Sequence, residues 1–409
     1  MFQYFVLYAI KIARINSLMP TPFTDFKLEQ LRALFPHTEK QHTYLNHAAI
    51  SPLSVPVVEA LENFIDSRHV GEIMTLDDDL DALEDTKAAL SELINADSLD
   101  RIAWTPNTSF GLQAIADTFA WQAGDEILLN TMEFPSNVYP FRNYEKEGVH
   151  VRQIDASNGI ISLDKIEAAI TPKTRMLSIS AVQFLSGYKA DLAEIGALCK
   201  KHDIAFIVDA IQALGVSPID VQKMQIDALS CGSHKWLMAP VGLGFLYVSE
   251  EFQSKLKEKY YGWFSVEEPW EMLNHEQTLA STANRFESGA LNIAAVHGLQ
   301  ASLQLINQVG IQNINQHVGY LLDLLVEGVW DLPVKTFTTS EKKNRAGIMT
   351  LEISNKIPED VVTQELKKEQ ITVSFREGKL RIAPHFYNSA HEIMHISNVL
   401  RYILGKANR

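Results

Sequence analysis

The chain has 409 residues, 46% of them hydrophobic and 21% charged, a balance that allows two domains with a large core and excludes a fibre or a disordered chain. A formal net charge of -14 argues against broad attraction to nucleic acid or an anionic membrane, and leaves small molecules or its own copies as partners, with room for a local basic pocket for one phosphate. Cys199 and Cys231 are the two cysteines, so no disulfide framework exists and a reducing, cytoplasmic compartment is expected.

The apolar stretch Phe2 to Ile10 is followed by Lys11 and Arg14, with no basic region before it and no clear cleavage site after it. It reads as neither signal peptide nor membrane span, and residues 1–20 are expected to form an N-terminal extension, with Met19 an alternative start. Asp25 to Leu34 reads as a helix, and Thr43 to Pro52 as a short strand running into a polar turn that includes Asn46. Two amphipathic helices are predicted over Val57 to Ile65 and Leu80 to Leu93.

From about residue 100 short strands alternate with helices. Arg101 to Trp104 is strand-like, and Asn107-Thr108-Ser109 opens a helix whose buried stripe is Phe110, Leu112, Ile115, Ala116 and Phe119. Further strands are predicted at Glu126 to Asn130, His150 to Ile154, Arg175 to Val182, Ala205 to Asp209, Asp227 to Cys231 and Leu243 to Val248. That alternation specifies an α/β fold with a mostly parallel central sheet flanked by helices, in which ligands gather at the carboxyl ends of the strands. After Phe252 it stops: an aromatic stretch, Tyr260 to Phe264, precedes the turn-rich Arg285 to Asn292 and a helix from Ile293 to Gln308. Strands near Gly347 to Ile353, Val373 to Phe375 and Leu380 to Ile382 make the remainder a second, smaller α+β domain. The expected division is 21–65 with 305–409 as the small domain and 66–304 as the large one.

Lys235 sits in Ser233-His234-Lys235-Trp236, between an apolar run and a glycine-containing turn, with no carboxylate close in sequence. Among apolar walls an ammonium is costly to keep charged, so such an amine can attack an aldehyde and form a Schiff base. Asp209 closes a strand and would place a carboxylate at the same sheet edge; if Lys235 holds pyridoxal phosphate, a carboxylate is needed to keep the ring nitrogen protonated. Gln212 is placed to donate to the phenolic oxygen. Asn107-Thr108-Ser109 offers hydroxyls, backbone amides and the positive end of a helix dipole for the phosphate, and Ser233 and His234 are further candidates for it. Phe134 offers an aromatic face to the ring, with core packing as its other reading. Arg381 offers a planar guanidinium for an amino acid's carboxylate, and Asn46 is a second candidate substrate contact.

The ordered series Asn107-Thr108-Ser109, Glu133-Phe134-Pro135-Ser136-Asn137, Asp209-Ala210-Ile211-Gln212, Ser233-His234-Lys235-Trp236, Arg285-Phe286-Glu287-Ser288-Gly289 and Arg381 to Asn388 resembles the class V aminotransferases. These are fold type I pyridoxal 5'-phosphate enzymes, among them cysteine desulfurases, selenocysteine lyases, kynureninases and isopenicillin N epimerase. The likeness runs from Tyr44 nearly to the end. It implies Lys235 as the Schiff-base lysine, Asp209 on the ring nitrogen, Gln212 on the phenolic oxygen, Thr108 and His234 on the phosphate, Phe134 stacked on the ring and Arg381 on the substrate carboxylate. It also implies a homodimer.

The departures from that family carry information of their own. Desulfurases place a sulfur-accepting cysteine in a loop before the carboxylate-binding arginine, yet Thr372 to Gly378 has none, which disfavours persulfide formation. Gly232 and Ala290 stand where many relatives have a serine and a threonine, so phosphate contacts from those two positions are not expected. The expected activity is therefore transamination or lyase chemistry on an amino acid through a Schiff base with the cofactor. The alternatives are a desulfurase-like or selenocysteine lyase-like enzyme, an epimerase, and a catalytically idle relative that only binds the cofactor.

Two further motifs are set aside. His391-Glu392-Ile393-Met394-His395 matches a zinc peptidase pattern, but little chain remains to supply a third ligand, so no metal is expected. Gly242-Leu243-Gly244 precedes a strand rather than a helix and lacks the third glycine of a dinucleotide site.

Overall fold

The computed structural model describes residues 21–71, 76–257, 259, 262–353 and 357–406; the apolar N-terminal stretch and Tyr260-Tyr261 lie outside them. A two-stranded pair joins β1 (Thr43–Tyr44) to β11 (Ile371–Thr372), parallel and with Thr43 opposite Ile371. The central sheet holds seven strands: β2 (Ile102–Thr105), β3 (Glu126–Asn130), β4 (His150–Ile154), β5 (Thr174–Ser180), β6 (Ala205–Asp209), β7 (Ala228–Gly232) and β8 (Gly244–Val248). Their order is β2-β8-β7-β6-β5-β3-β4, and β8 runs against both of its neighbours while the other pairs are parallel. The predicted mostly parallel sheet is present.

The strands read as continuous apolar runs because both faces are covered. Successive side chains point to opposite faces, so Phe206 and Val208 of β6 enter one core while Ile207 enters the other. Phe245 and Tyr247 of β8 divide from Leu246 and Val248 in the same way. The helix Thr108–Thr118 lies close against β7: a Cβ at Gly111 would stand 2.3 Å from Ser230 Oγ, and that hydroxyl donates to Thr108 O at 2.9 Å. Glycine at 111 is what permits this approach.

The chain leaves the sheet through the helix Ile293–Val309, turns at Gly310 (φ +85°) and continues in a second helix, Ile311–Val329. An antiparallel sheet follows in the order β12-β13-β10-β9, built from β9 (Val334–Thr336), β10 (Met349–Ile353), β12 (Ser374–Arg376) and β13 (Lys379–Ile382). The last helix is Ala390–Lys406. On it Glu392 accepts from Arg32 Nη1 at 2.5 Å and from Ser389 N at 2.7 Å, so the carboxylate of the His-Glu-x-x-His pattern ties the first described helix to the last. No helix among the described residues is long and apolar enough to cross a membrane.

Candidate active site

The carboxyl ends of β2, β3, β5, β6 and β7 meet at one edge of the sheet, because these strands share a direction. The segments leaving that edge wall a cavity of about 300 Å³ whose lining includes Thr108, Phe134, Gln212, His234, Lys235 and Arg381. Residues some 270 positions apart in sequence are thus gathered around one lysine.

Lys235 follows β7 in the turn before β8. Burial pushes its ammonium down to about 8, aided by the guanidinium charges of Arg381 and Arg376 and opposed by Asp209. Its Nζ stands 5.6 Å from the centre of the Phe134 ring. The backbone around it is clamped by the turn after β1: Ser51 N donates to His234 O at 3.0 Å and Ser51 Oγ to Lys235 O at 2.5 Å. Asp209 is 2% exposed, and burial raises its carboxyl to about 7, with Glu133 adding to the rise and the Ile211 amide and Lys235 opposing it. Its Oδ1 accepts from Ile211 N at 3.0 Å, which fixes the carboxylate at the end of β6.

At the start of helix Thr108–Thr118, Asn107 accepts from Phe110 N at 2.9 Å as the N-cap. The next hydroxyl, Thr108 Oγ1, is buried and has no partner among the described residues. A Cβ at Gly232 would lie 3.3 Å from that oxygen and 3.4 Å from His234 Cε1, so the absent side chain keeps a hollow open between threonine and histidine. Ser109 donates to Ser136 Oγ at 2.7 Å across the rim. Phe134 is 40% exposed and meets Phe184 edge to face, with centroids 5.2 Å apart; it faces the cavity, not the core.

Arg381, on β13, is 2% exposed; its Nη1 donates to Phe184 O at 2.8 Å and its Nε to Ser374 Oγ at 3.3 Å. Burial, with help from Arg376, brings its pKa down to about 10. The remaining edge of the guanidinium could pair with a carboxylate.

A model of the family described as aminotransferase class-V matches residues 43–405. The chain belongs to the class V aminotransferase family. A probable cysteine desulfurase of Borreliella burgdorferi is 30% identical over 403 residues, covering 90% of this chain and 94% of that protein. An uncharacterized aminotransferase, YcbU of Bacillus subtilis, is 28% identical over 371 residues, covering 90% and 95%. The apo structure of a cysteine desulfurase from Thermococcus onnurineus superposes with a TM-score of 0.84 at 25% identity, covering 92% of this chain and 98% of that one.

Class V aminotransferases depend on pyridoxal 5'-phosphate, and this chain is such an enzyme. The residues present fit the cofactor. The orphaned Thr108 hydroxyl, the amides at the helix start and His234 could hold its phosphate, Phe134 covers the space above Lys235, and the buried Asp209 could serve as the acid that a ring nitrogen needs. Gln212 donates from Nε2 to Ala48 O at 3.0 Å and accepts from Trp236 Nε1 at 2.8 Å, which locks the amide at the cavity wall with one N–H still free to donate.

Two expected residues stand elsewhere. The Ser233 hydroxyl donates to the carbonyls of Pro240 (2.7 Å) and Leu243 (2.9 Å) and closes the lysine turn instead of facing the cup. The backbone of Asn46 bridges to Ala383, and its Oδ1 is buried without a partner among the described residues; Ala48 and Ala49 of the same turn line the cavity in its place.

Sequence reasoning missed Arg376, Phe184 and Glu133. Arg376 lines the cavity from the end of β12, inside the segment inspected only for a thiol. Glu133 is 8% exposed and accepts from Ser180 N (2.9 Å), Gln183 Nε2 (2.9 Å) and Asn137 Nδ2 (3.1 Å). It ties the turn that carries Phe134 to the end of β5. A glutamate one residue away from an aromatic ring carries no local signal of burial.

Proposed function

We propose that this chain is an amino-acid lyase that breaks the bond between Cβ and sulfur in a cysteine-like substrate and releases the sulfur to solvent. The observation that carries the reading is the state of the thiols. Cys199 and Cys231 are each 1% exposed, burial pushes Cys199 up to about 12 and Cys231 well above its ordinary value, and the segment opposite the cavity offers Arg376 in place of a cysteine. The relatives named as desulfurases support the substrate class; the missing acceptor separates this chain from a persulfide mechanism.

When bound, the cofactor supplies an electron sink for the negative charge that develops at the substrate's α-carbon. The chain's own residues do the rest. Arg381, with Arg376 beside it, holds the carboxylate; the Lys235 amine takes the α-proton; Asp209 keeps a proton at the ring nitrogen; Thr108 and His234 hold the phosphate so that the ring cannot drift. Loss of the thiolate from Cβ and hydrolysis of the resulting enamine balance as amino acid plus water giving 2-oxo acid, ammonia and thiol, with no oxidant required.

A second reading, transamination, is favoured by one feature: Lys235 is the amine placed to return a proton within the cavity. Incubating holoenzyme with L-cysteine and other β-substituted amino acids separates the outcomes. Equal amounts of 2-oxo acid and released thiol support the lyase. Alanine with protein-bound sulfur, or accumulation of pyridoxamine phosphate, overturns it, and unchanged cofactor spectra with every amino acid identify an idle binder.

The division into a small domain of 21–65 with 305–409 and a large domain of 66–304 is part of this reading, as are a cytoplasmic homodimer and an amino-acid substrate. Exposed apolar side chains at Val241, Trp263, Trp270 and Leu273 support the dimer, and gel filtration of a monomer that still turns over would remove it.

A further inference from the structure

A second cavity, of about 480 Å³, lies between the helix Ile311–Val329, the segment Lys342–Gly347 and Lys189, and shares no lining residue with the cavity around Lys235. Its wall gathers the cations Lys189, Lys342, Lys343 and Arg345 against one lining carboxylate, Asp323, in a chain whose net charge is -14. Asp323 is already committed: Lys342 Nζ donates to Oδ2 at 2.9 Å and Arg345 Nη2 to Oδ1. Among the described residues, neither Lys189 nor Lys343 has an ion-pair partner. Asp191 favours the charge on Lys189 only from beyond ion-pair distance, and burial works against it.

Arg345 is the more telling residue. Its side chain is 7% exposed, one arm of the guanidinium is on Asp323, and the buried Nε has no partner among the described residues. A buried N–H without an acceptor is costly, and a cluster of like charges in a partly desolvated wall adds to that cost unless something neutralises both. A guanidinium in the wall suits the oxygens of a phosphate or carboxylate, and the ammonium groups of Lys189 and Lys343 complete a concave cationic surface. The volume exceeds that of one phosphate ion and suits a small metabolite.

We infer that this cavity binds a small metabolite bearing phosphate or carboxylate groups, at a site separate from the cofactor's. Its walls are continuous with the Lys235 site. Lys189 N donates to Asn344 O at 2.8 Å, Tyr188 bridges to Arg345, and five residues before Lys189 the carbonyl of Phe184 receives Arg381 Nη1. On the other wall Gly347 (φ +62°) lies so near the Trp236 indole that a Cβ there would stand 2.6 Å from its Cη2.

The test is titration of enzyme saturated with pyridoxal phosphate, so that the cofactor's own phosphate cup is filled, with inorganic phosphate in one arm and citrate in the other at constant ionic strength, read by calorimetry. Saturable binding to the wild type in either arm is expected, and the arm that binds more tightly identifies phosphate or carboxylate as the natural group. Lys343→Glu, at an exposed position, weakens binding at least about tenfold, and Lys189→Gln with Lys343→Gln removes it, while Lys40→Gln, outside the cavity, leaves it unchanged. Absence of saturable binding by the wild type in both arms overturns the inference, and so does equal affinity in Lys343→Glu.

Discussion

His385 donates from Nε2 to the backbone carbonyl of Trp236 at 3.0 Å, so a turn after β13 holds the residue that follows Lys235. The other ring nitrogen accepts from Phe386 N at 2.8 Å, which fixes a neutral imidazole. The ring is fully buried in an aromatic cluster, edge to face with His47 and tilted against Trp236. Replacing His385 by Phe keeps the volume and leaves the Trp236 carbonyl and the Phe386 amide without partners. Urea unfolding of the apoenzyme is expected to show a loss of about 2–4 kcal/mol, and a variant as stable as the wild type refutes this role.

The same cluster sets an acid limit on stability. Burial holds His37, His317 and His385 down to about 4 and His47 well below the ordinary 6.5. Unfolding exposes these rings, so the unfolded chain binds more protons from about pH 6.5 down to about pH 4, and stability is lost as pH falls through that window. Asp209, raised to about 7, and Asp227, also raised by burial, act in the opposite direction but are two carboxyls against four imidazoles. The thermal midpoint should therefore fall steeply between pH 6.5 and pH 4; a flat profile there would show that the rings are solvated.

Lys235, held at about 8, is a nucleophile only as the free amine, so capture of pyridoxal phosphate by the apoenzyme should accelerate as pH rises and level off above about pH 8. An ordinary lysine would show its rise some two units higher. Stopped-flow absorbance of the Schiff base gives the profile, and Lys235→Ala should leave no borohydride-stable adduct.

Thr108→Val removes one hydroxyl at constant shape. If Thr108 Oγ1 serves the phosphate, cofactor affinity falls about tenfold while the fold is untouched, since that oxygen has no partner to lose. Equilibrium dialysis of pyridoxal phosphate reads the change, and an unaltered dissociation constant would move the phosphate elsewhere.

Arg381→Lys keeps the charge and loses the planar fork, so KM for the amino acid should rise by about tenfold or more with cofactor binding unaffected. Arg376→Gln is expected to act in the same sense more weakly, because its guanidinium reaches the cavity from an exposed strand end. A fall in kcat with KM unchanged for both variants would place the carboxylate elsewhere.

Much of this protein was decided by the order of its residues. The central strands announce themselves as short apolar runs because each is covered on both faces, and Asp209, Thr108 and Lys235 stand at strand or helix ends, where a local pattern can be read. The placements of Ser233, Arg376, Glu133 and His385 were decided only in three dimensions. Whether the Ser233 hydroxyl faces a ligand or the carbonyls of Pro240 and Leu243 depends on how its turn closes, and whether Arg376 reaches the cavity depends on packing between segments more than a hundred residues apart. Strand and helix periodicity is a local property that a few neighbouring side chains impose, whereas burial, hydrogen-bond partners and charge environment come from chain segments that meet only after folding.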